Sequence, residues 1–176
     1  MRNVKINFCN TAVYLQRWAA VFFLIFLLST SDGIAQALRQ EPAIDFKLPN
    51  AKGDSISLSQ FRGSVVLLDF WASWCGPCRA ANEHLVKIYR SYRNQNVVFL
   101  SVSLDESQSE WLRAVKKDKV SWTQLIDKKA WDSPVAAAWD VYSIPTTFLI
   151  DQEGNVVARN LMGAALESGI NKLLKQ

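Results

Sequence analysis

A chain of 176 residues, 49% of them apolar, is enough for one domain with a proper core. The formal charge of +4 falls to +2 without the first 35 residues, which hold Arg2, Lys5, Arg17 and Asp32, and such a balance is no nucleic-acid footprint. The three cysteines are Cys9, Cys75 and Cys78, so a chain that loses its N-terminus keeps a single pair and has none for a structural disulfide.

Residues 1–17 are mildly basic, and residues 18–28 form an unbroken apolar run of eleven, too short for a comfortable membrane span. Residues 29–37 then turn small and polar, with Gly33-x-Ala35 and Ala35-x-Ala37 as cleavage sites. This succession reads as a signal peptide over residues 1–37, cleaved near Ala35 or Ala37, and leaves residues 38–176 as one domain. The mature protein then starts at Gln36 or Leu38 and Cys9 leaves with the signal; an uncleaved anchor is the alternative.

A polar lead-in carries Pro42 and Pro49, and residues 44–48 alternate as a half-buried strand. A turn at 51–54 lets residues 55–58 pair back, and residues 59–63 turn into the next strand. Residues 65–71 (Val-Val-Leu-Leu-Asp-Phe-Trp) read as a fully buried strand. After Trp74-Cys75-Gly76-Pro77-Cys78, residues 79–94 place Ala81, Leu85, Ile88, Tyr89 and Tyr92 on one helical face. A second buried strand spans 97–104, and a helix spans 105–120 with Trp111, Leu112 and Val115 inward; a strand follows at 121–126. Ser133-Pro134 opens a short helix running to Trp139. Strands at 146–151 and 155–160 flank a turn at 152–154, and residues 164–175 close the chain as an amphipathic helix.

Strand, Gly-Pro turn and helix put Cys75 at a helix N-terminus, where free amides and the dipole favour an anion. A thiolate is that anion, so Cys75 is expected to have a depressed pKa and to be the attacking sulfur. Cys78 lies one turn further in and less exposed, and two unequal thiols are what disulfide exchange needs. The bland alternative is half of a metal site, but His84 is the one histidine and there is no second Cys-x-x-Cys. A copper(I) site on the two thiols alone is the form of metal binding that stays open. Asp69 interrupts an apolar strand; a buried unpaired carboxylate raises its pKa and becomes a proton carrier, against the plainer reading of a strand-end Asp bonded to backbone. Trp74 beside the nucleophile reads as an apolar platform for a partner. Trp71, Trp111, Trp122, Trp131 and Trp139 read as packing, His84 as a solvated or boundary helix residue, and Arg79 either as a modest aid to the thiolate or as a solvated helix residue.

The segment Asp69-Phe70-Trp71-Ala72-Ser73-Trp74-Cys75-Gly76-Pro77-Cys78 resembles the active-site segment of the thioredoxin family. Ser143-Ile144-Pro145-Thr146-Thr147-Phe148-Leu149-Ile150-Asp151 resembles the segment carrying that family's cis-proline, and the wider pattern is similar to the secreted TlpA/ResA group. The resemblance implies an α/β thioredoxin fold: a central mixed sheet flanked by helices, with an N-terminal β-hairpin and an inserted helix–strand. It implies a cis Pro145 that exposes the Ile144 backbone to an extended substrate, with Gly76 and Pro77 completing the substrate-positioning set, and Asp69 as proton shuttle for Cys78. Two positions depart from related patterns: Ala81 stands where ResA-type proteins have a Glu, and Ser101 where thioredoxins often have a Lys.

The function implied is a periplasmic thiol–disulfide oxidoreductase reducing protein disulfides through Cys75 and Cys78. The alternatives are an oxidase or isomerase, a thiol peroxidase, or a copper(I)-handling protein. The redox-active disulfide would be the only cofactor, with no metal. Partners implied are protein thiols or disulfides, an apocytochrome c among them, and a membrane protein that donates electrons to a monomer.

Overall fold

The computed structural model describes residues 41–175. The expected signal peptide of residues 1–37 lies outside the described residues. Along the chain come β1 (Glu41–Pro42), β2 (Lys47–Pro49), β3 (Ser55–Ser57), β4 (Val65–Trp71), α1 (Gly76–Tyr92), β5 (Val97–Ser103) and α2 (Gln108–Lys117). They are followed by β6 (Thr123–Ile126), α3 (Pro134–Ala138), β7 (Thr146–Ile150), β8 (Asn155–Arg159) and α4 (Gly163–Leu173). Six strands form a mixed sheet in the order β1-β8-β7-β4-β5-β6, and β2 pairs with β3 as a separate hairpin. β4 runs parallel to β5 and antiparallel to β7, which puts it at the centre with all seven residues buried.

Side chains of β4 alternate between two cores, as the two-residue period of a strand requires. Val66, Leu68 and Phe70 join Leu100, Val102, Phe148 and Ile150, capped by Trp139 and by Phe46 and Leu48 of the N-terminal hairpin. On the other face Val65 and Leu67 meet Leu85 and Ile88 of α1 and Leu166 and Ile170 of α4. Further along that face Trp71 packs with Cys75, Cys78 and Trp111 of α2. Asp69 therefore sits between Leu67 and Trp71 on the face that α1 covers.

Three local expectations change. Residues 44–48 are not one strand: the Asp45 carboxylate accepts from the backbone N–H groups of Phe46 and Ser59, and such local bonds replace ladder pairing, so β2 begins only at Lys47. The helix expected over 105–120 starts at Gln108, capped by Ser107, because Asp105 is drawn into side-chain bonds with Ser73 and Ser103. Leu112 points to solvent and Ala114 takes the inward place beside Trp111, since one turn separates 111 from 114 and 115. β1 pairing with β8 adds an edge strand that the lead-in sequence did not announce.

Candidate active site

The loop from Ala72 to Cys75 is short and tied at both ends. Cys75 is the N-cap of α1 in an extended conformation, and Pro77 lies in the first helical turn, where its missing N–H costs nothing. The helix runs on without a kink to Tyr92. Cys75 and Cys78 form a disulfide, with Cα atoms 5.2 Å apart. Cys78 is 1% exposed and Cys75 6%, so the sulfur at the helix start is the more accessible. The backbone N–H of Cys78 donates to Cys75 Sγ at 3.1 Å, a bond that strengthens when that sulfur carries negative charge. Across the gap the Ile144–Pro145 peptide is cis, and the Ile144 carbonyl oxygen lies 3.7 Å from Cys75 Sγ.

Two polar clusters hold the loop. Ser73 donates to Asp105 through its N–H at 2.9 Å and its hydroxyl at 2.6 Å, while the Ser103 hydroxyl donates to the same carboxylate at 2.6 Å. Arg79 donates to the Ser73 carbonyl at 3.1 Å and forms a forked ion pair with Asp118, to which Asn82 also donates. Arg79 is thus a tie between α1 and the end of α2 rather than a solvated residue.

Asp69 has a thinner shell. It is 3% exposed, and the Ser101 hydroxyl donates to its Oδ2 at 3.2 Å. Burial pushes its pKa up from 3.8 to about 7, with the Ser101 bond holding it down in part. Ser101 is also its register partner on β5.

At the surface, Trp74 is 56% exposed and its ring meets that of Trp131, itself 50% exposed, with centroids 6.3 Å apart. Trp131 was expected in the packing, and no periodicity marks it as an active-site neighbour. Beside Pro145, Ala81 and His84 line a shallow, mostly apolar groove with Leu161 and Met162. Among the described residues no three Cys, His, Asp or Glu side chains converge as metal ligands.

A disulfide at a helix N-terminus, against a backbone carbonyl within reach of an incoming chain, suits the exchange of one disulfide for another. Fold and site together define a thiol–disulfide oxidoreductase of thioredoxin type. The chain belongs to the AhpC/TSA family, whose model it matches over residues 40–159. It is 32% identical over 147 residues to thiol-disulfide oxidoreductase ResA of Geobacillus kaustophilus, covering 84% of this chain and 82% of the relative. To ResA of Bacillus subtilis it is 30% identical over 173 residues, 97% of this chain and 93% of that one. A solved thiol-disulfide oxidoreductase from Bacteroides fragilis superposes with a TM-score of 0.72 at 38% identity, covering 76% of this chain and all of the other.

Proposed function

We propose that the protein is an extracytoplasmic reductant of protein disulfides, acting as a monomer. The bond from the Cys78 N–H to Cys75 Sγ carries the assignment of Cys75 as the attacking sulfur, because it stabilises charge on one sulfur of the pair. Reduced Cys75, as thiolate, attacks a substrate S–S bond; one substrate sulfur leaves as thiolate and a mixed disulfide forms. Asp69 takes the proton of Cys78, whose sulfur then attacks Cys75 Sγ. The mixed bond breaks, Cys75–Cys78 closes, and the substrate departs with two electrons gained. Trp74 and Trp131 offer the incoming chain an apolar ledge, and Ile144 offers a backbone to pair with.

The uncharged Gly76-Pro77 dipeptide supports the reducing direction, since no positive group there stabilises the dithiol form. The basic, apolar, small-residue succession over residues 1–37 supports export, and a reductant outside the cytoplasm needs a dithiol donor at the membrane to recharge it. The tie of Arg79 to Asp118 speaks against peroxide chemistry, which wants a cation at the reacting thiolate.

Trapping tests the roles. The Cys78→Ser variant is expected to accumulate mixed disulfides with exported proteins, and Cys75→Ser to trap almost none; equal trapping reverses the assignment. Equilibration against glutathione is expected to give a potential nearer about −270 mV than about −120 mV. Peroxide consumption faster than disulfide reduction would move the protein to the peroxidase class.

A further inference from the structure

Trp122 lies outside the dithiol site as drawn so far, yet its indole reaches it through one hydroxyl. The Nε1–H donates to Ser101 Oγ at 2.8 Å, and Ser101 donates to Asp69 Oδ2 at 3.2 Å. An indole nitrogen is a donor only, whereas a hydroxyl has one proton and two acceptor lone pairs. Because Trp122 occupies a lone pair, the Ser101 proton has one place to go, the carboxylate. The direction of the chain is therefore fixed by chemistry: indole to hydroxyl to Asp69.

We propose that Ser101 and Trp122 are positioning residues for the resolving step, which commit Asp69 Oδ2 to a fixed hydrogen bond and leave Oδ1 to take the proton of Cys78. This rests on the reading of Asp69 as the base for that cysteine. Among the described residues no donor reaches Oδ1. The relay is held from both sides: Ser101 is the register partner of Asp69 across the β4–β5 ladder, and the Trp122 ring packs against Tyr89 and Phe99 at 5.3 and 5.7 Å between centroids. All three members are buried, so water does not compete for the hydroxyl.

The groups around Asp69 allow the relay to be read in isolation. Ser101 faces it from β5 and Thr147 is its partner on β7. The titratable groups on the inward face of α1 are Cys78 at its start, the half-buried Tyr89 against the Trp122 ring, and Tyr92 at its end, where Tyr92 donates to the Glu167 carbonyl. Among the described residues, burial raises the Asp69 pKa and the Ser101 bond lowers it. Removing the hydroxyl must then move Asp69 further up, and removing the indole donor must loosen the hydroxyl and move it the same way by less.

The test is stopped-flow reaction of the reduced protein with excess dithiobis-nitrobenzoate between pH 5 and 9. Cys75 releases one thionitrobenzoate on attack, and Cys78 releases the second in a phase independent of reagent concentration. That second phase is expected to rise with pH through the Asp69 ionisation. In Ser101→Ala its inflection is expected to move up by about one pH unit, the value of a hydrogen bond to a charge. In Trp122→Phe, which keeps a ring in place, it is expected to move up by a few tenths of a unit. Ser101→Thr, with its hydroxyl, is expected to restore the wild-type profile, and serves if either other variant folds poorly. Asp69→Asn is expected to flatten the profile. If it does so while Ser101→Ala and Trp122→Phe leave the inflection in place, the relay is overturned and the base stands. If Asp69→Asn leaves the inflection intact, the reading of Asp69 as base has failed, and the relay with it.

Discussion

Ser101 and Ser103 stand two residues apart on β5, pointing to the same face, and each donates to a buried aspartate. The two carboxylates have opposite surroundings. Asp105 collects the Ser73 N–H, the Ser73 hydroxyl and the Ser103 hydroxyl, all within 2.9 Å. Asp69 receives one hydroxyl at 3.2 Å. A buried carboxylate with three donors is a fastener, because its charge is answered in place. One with a single donor is held in the apolar layer at a cost, and its proton becomes available near neutral pH. The same pair of residue types on one strand thus gives a strut for the Ser73 loop and the carboxylate we propose as the proton carrier, and the two differ in how many donors meet them.

The comparison breaks first at Asp105. Asp105→Ala leaves three donors without an acceptor, two of them on the loop that carries Cys75. The loss is expected to be about 3–4 kcal/mol, since each donor left unsatisfied costs roughly 1 kcal/mol or a little more once the two hydroxyls turn to other acceptors. For a domain of this size the midpoint falls by about 10 °C. Calorimetry checks it, and a drop of less than about 3 °C would mean that the strut is not one.

Asp69→Asn is expected to do the reverse. The folded pKa of Asp69 lies near 7, above the 3.8 of the exposed group. Below about pH 3.8 both states hold the proton and the residue costs nothing by ionisation. As pH rises toward 7 the unfolded chain ionises first, so folding loses stability through that window, on the order of 4 kcal/mol in all. An amide cannot ionise, and its own desolvation takes back about 1–3 kcal/mol. Asp69→Asn is therefore expected to be more stable than wild type at pH 7, with the advantage gone at pH 4. Urea melts at the two values measure it; an advantage that is the same at both would mean that Asp69 does not titrate with folding.

Much of this site is written in neighbouring residues. Cys75 and Cys78 stand together after an apolar run, and Asp69 shows because it is the one charge inside that run. Periodicity likewise places β4, β5 and the buried stripe of α1. The rest depends on side chains that meet across the fold. Arg79 meets Asp118 39 residues away, and Ser73 meets Asp105 32 away, with no spacing rule to announce either. Trp122 looks like any core tryptophan because its ring is packing; only the direction of its N–H gives it a second part. Trp131 lies in a 3-10 turn whose preceding Ala130 has a positive φ, a conformation that no local pattern reveals. Leu112 failed for a simpler reason, since apolar content alone does not say which side of α2 faces in.

The smallest expected effect separates the two serines themselves. Ser103 donates to Asp105 and also accepts from the Asp105 backbone N–H at 3.0 Å, so Ser103→Ala removes one of three donors and orphans one amide. Two donors to the carboxylate remain, and the loop stays tied through Ser73. The expected loss is about 2 kcal/mol, with the pH profile of the resolving step unmoved. Ser101→Ala removes the one donor that Asp69 has among the described residues, so its signature is a shifted profile. Its stability cost has a constant part, the Trp122 N–H left without its acceptor, and a part that depends on pH: below the Asp69 pKa the protonated carboxyl needs no donor, and above it the lost bond is felt. Denaturant melts and the pH–rate profile, run on both variants, give a two-by-two outcome. Ser103→Ala moving the profile, or Ser101→Ala leaving it still, would dissolve the distinction between strut and proton carrier.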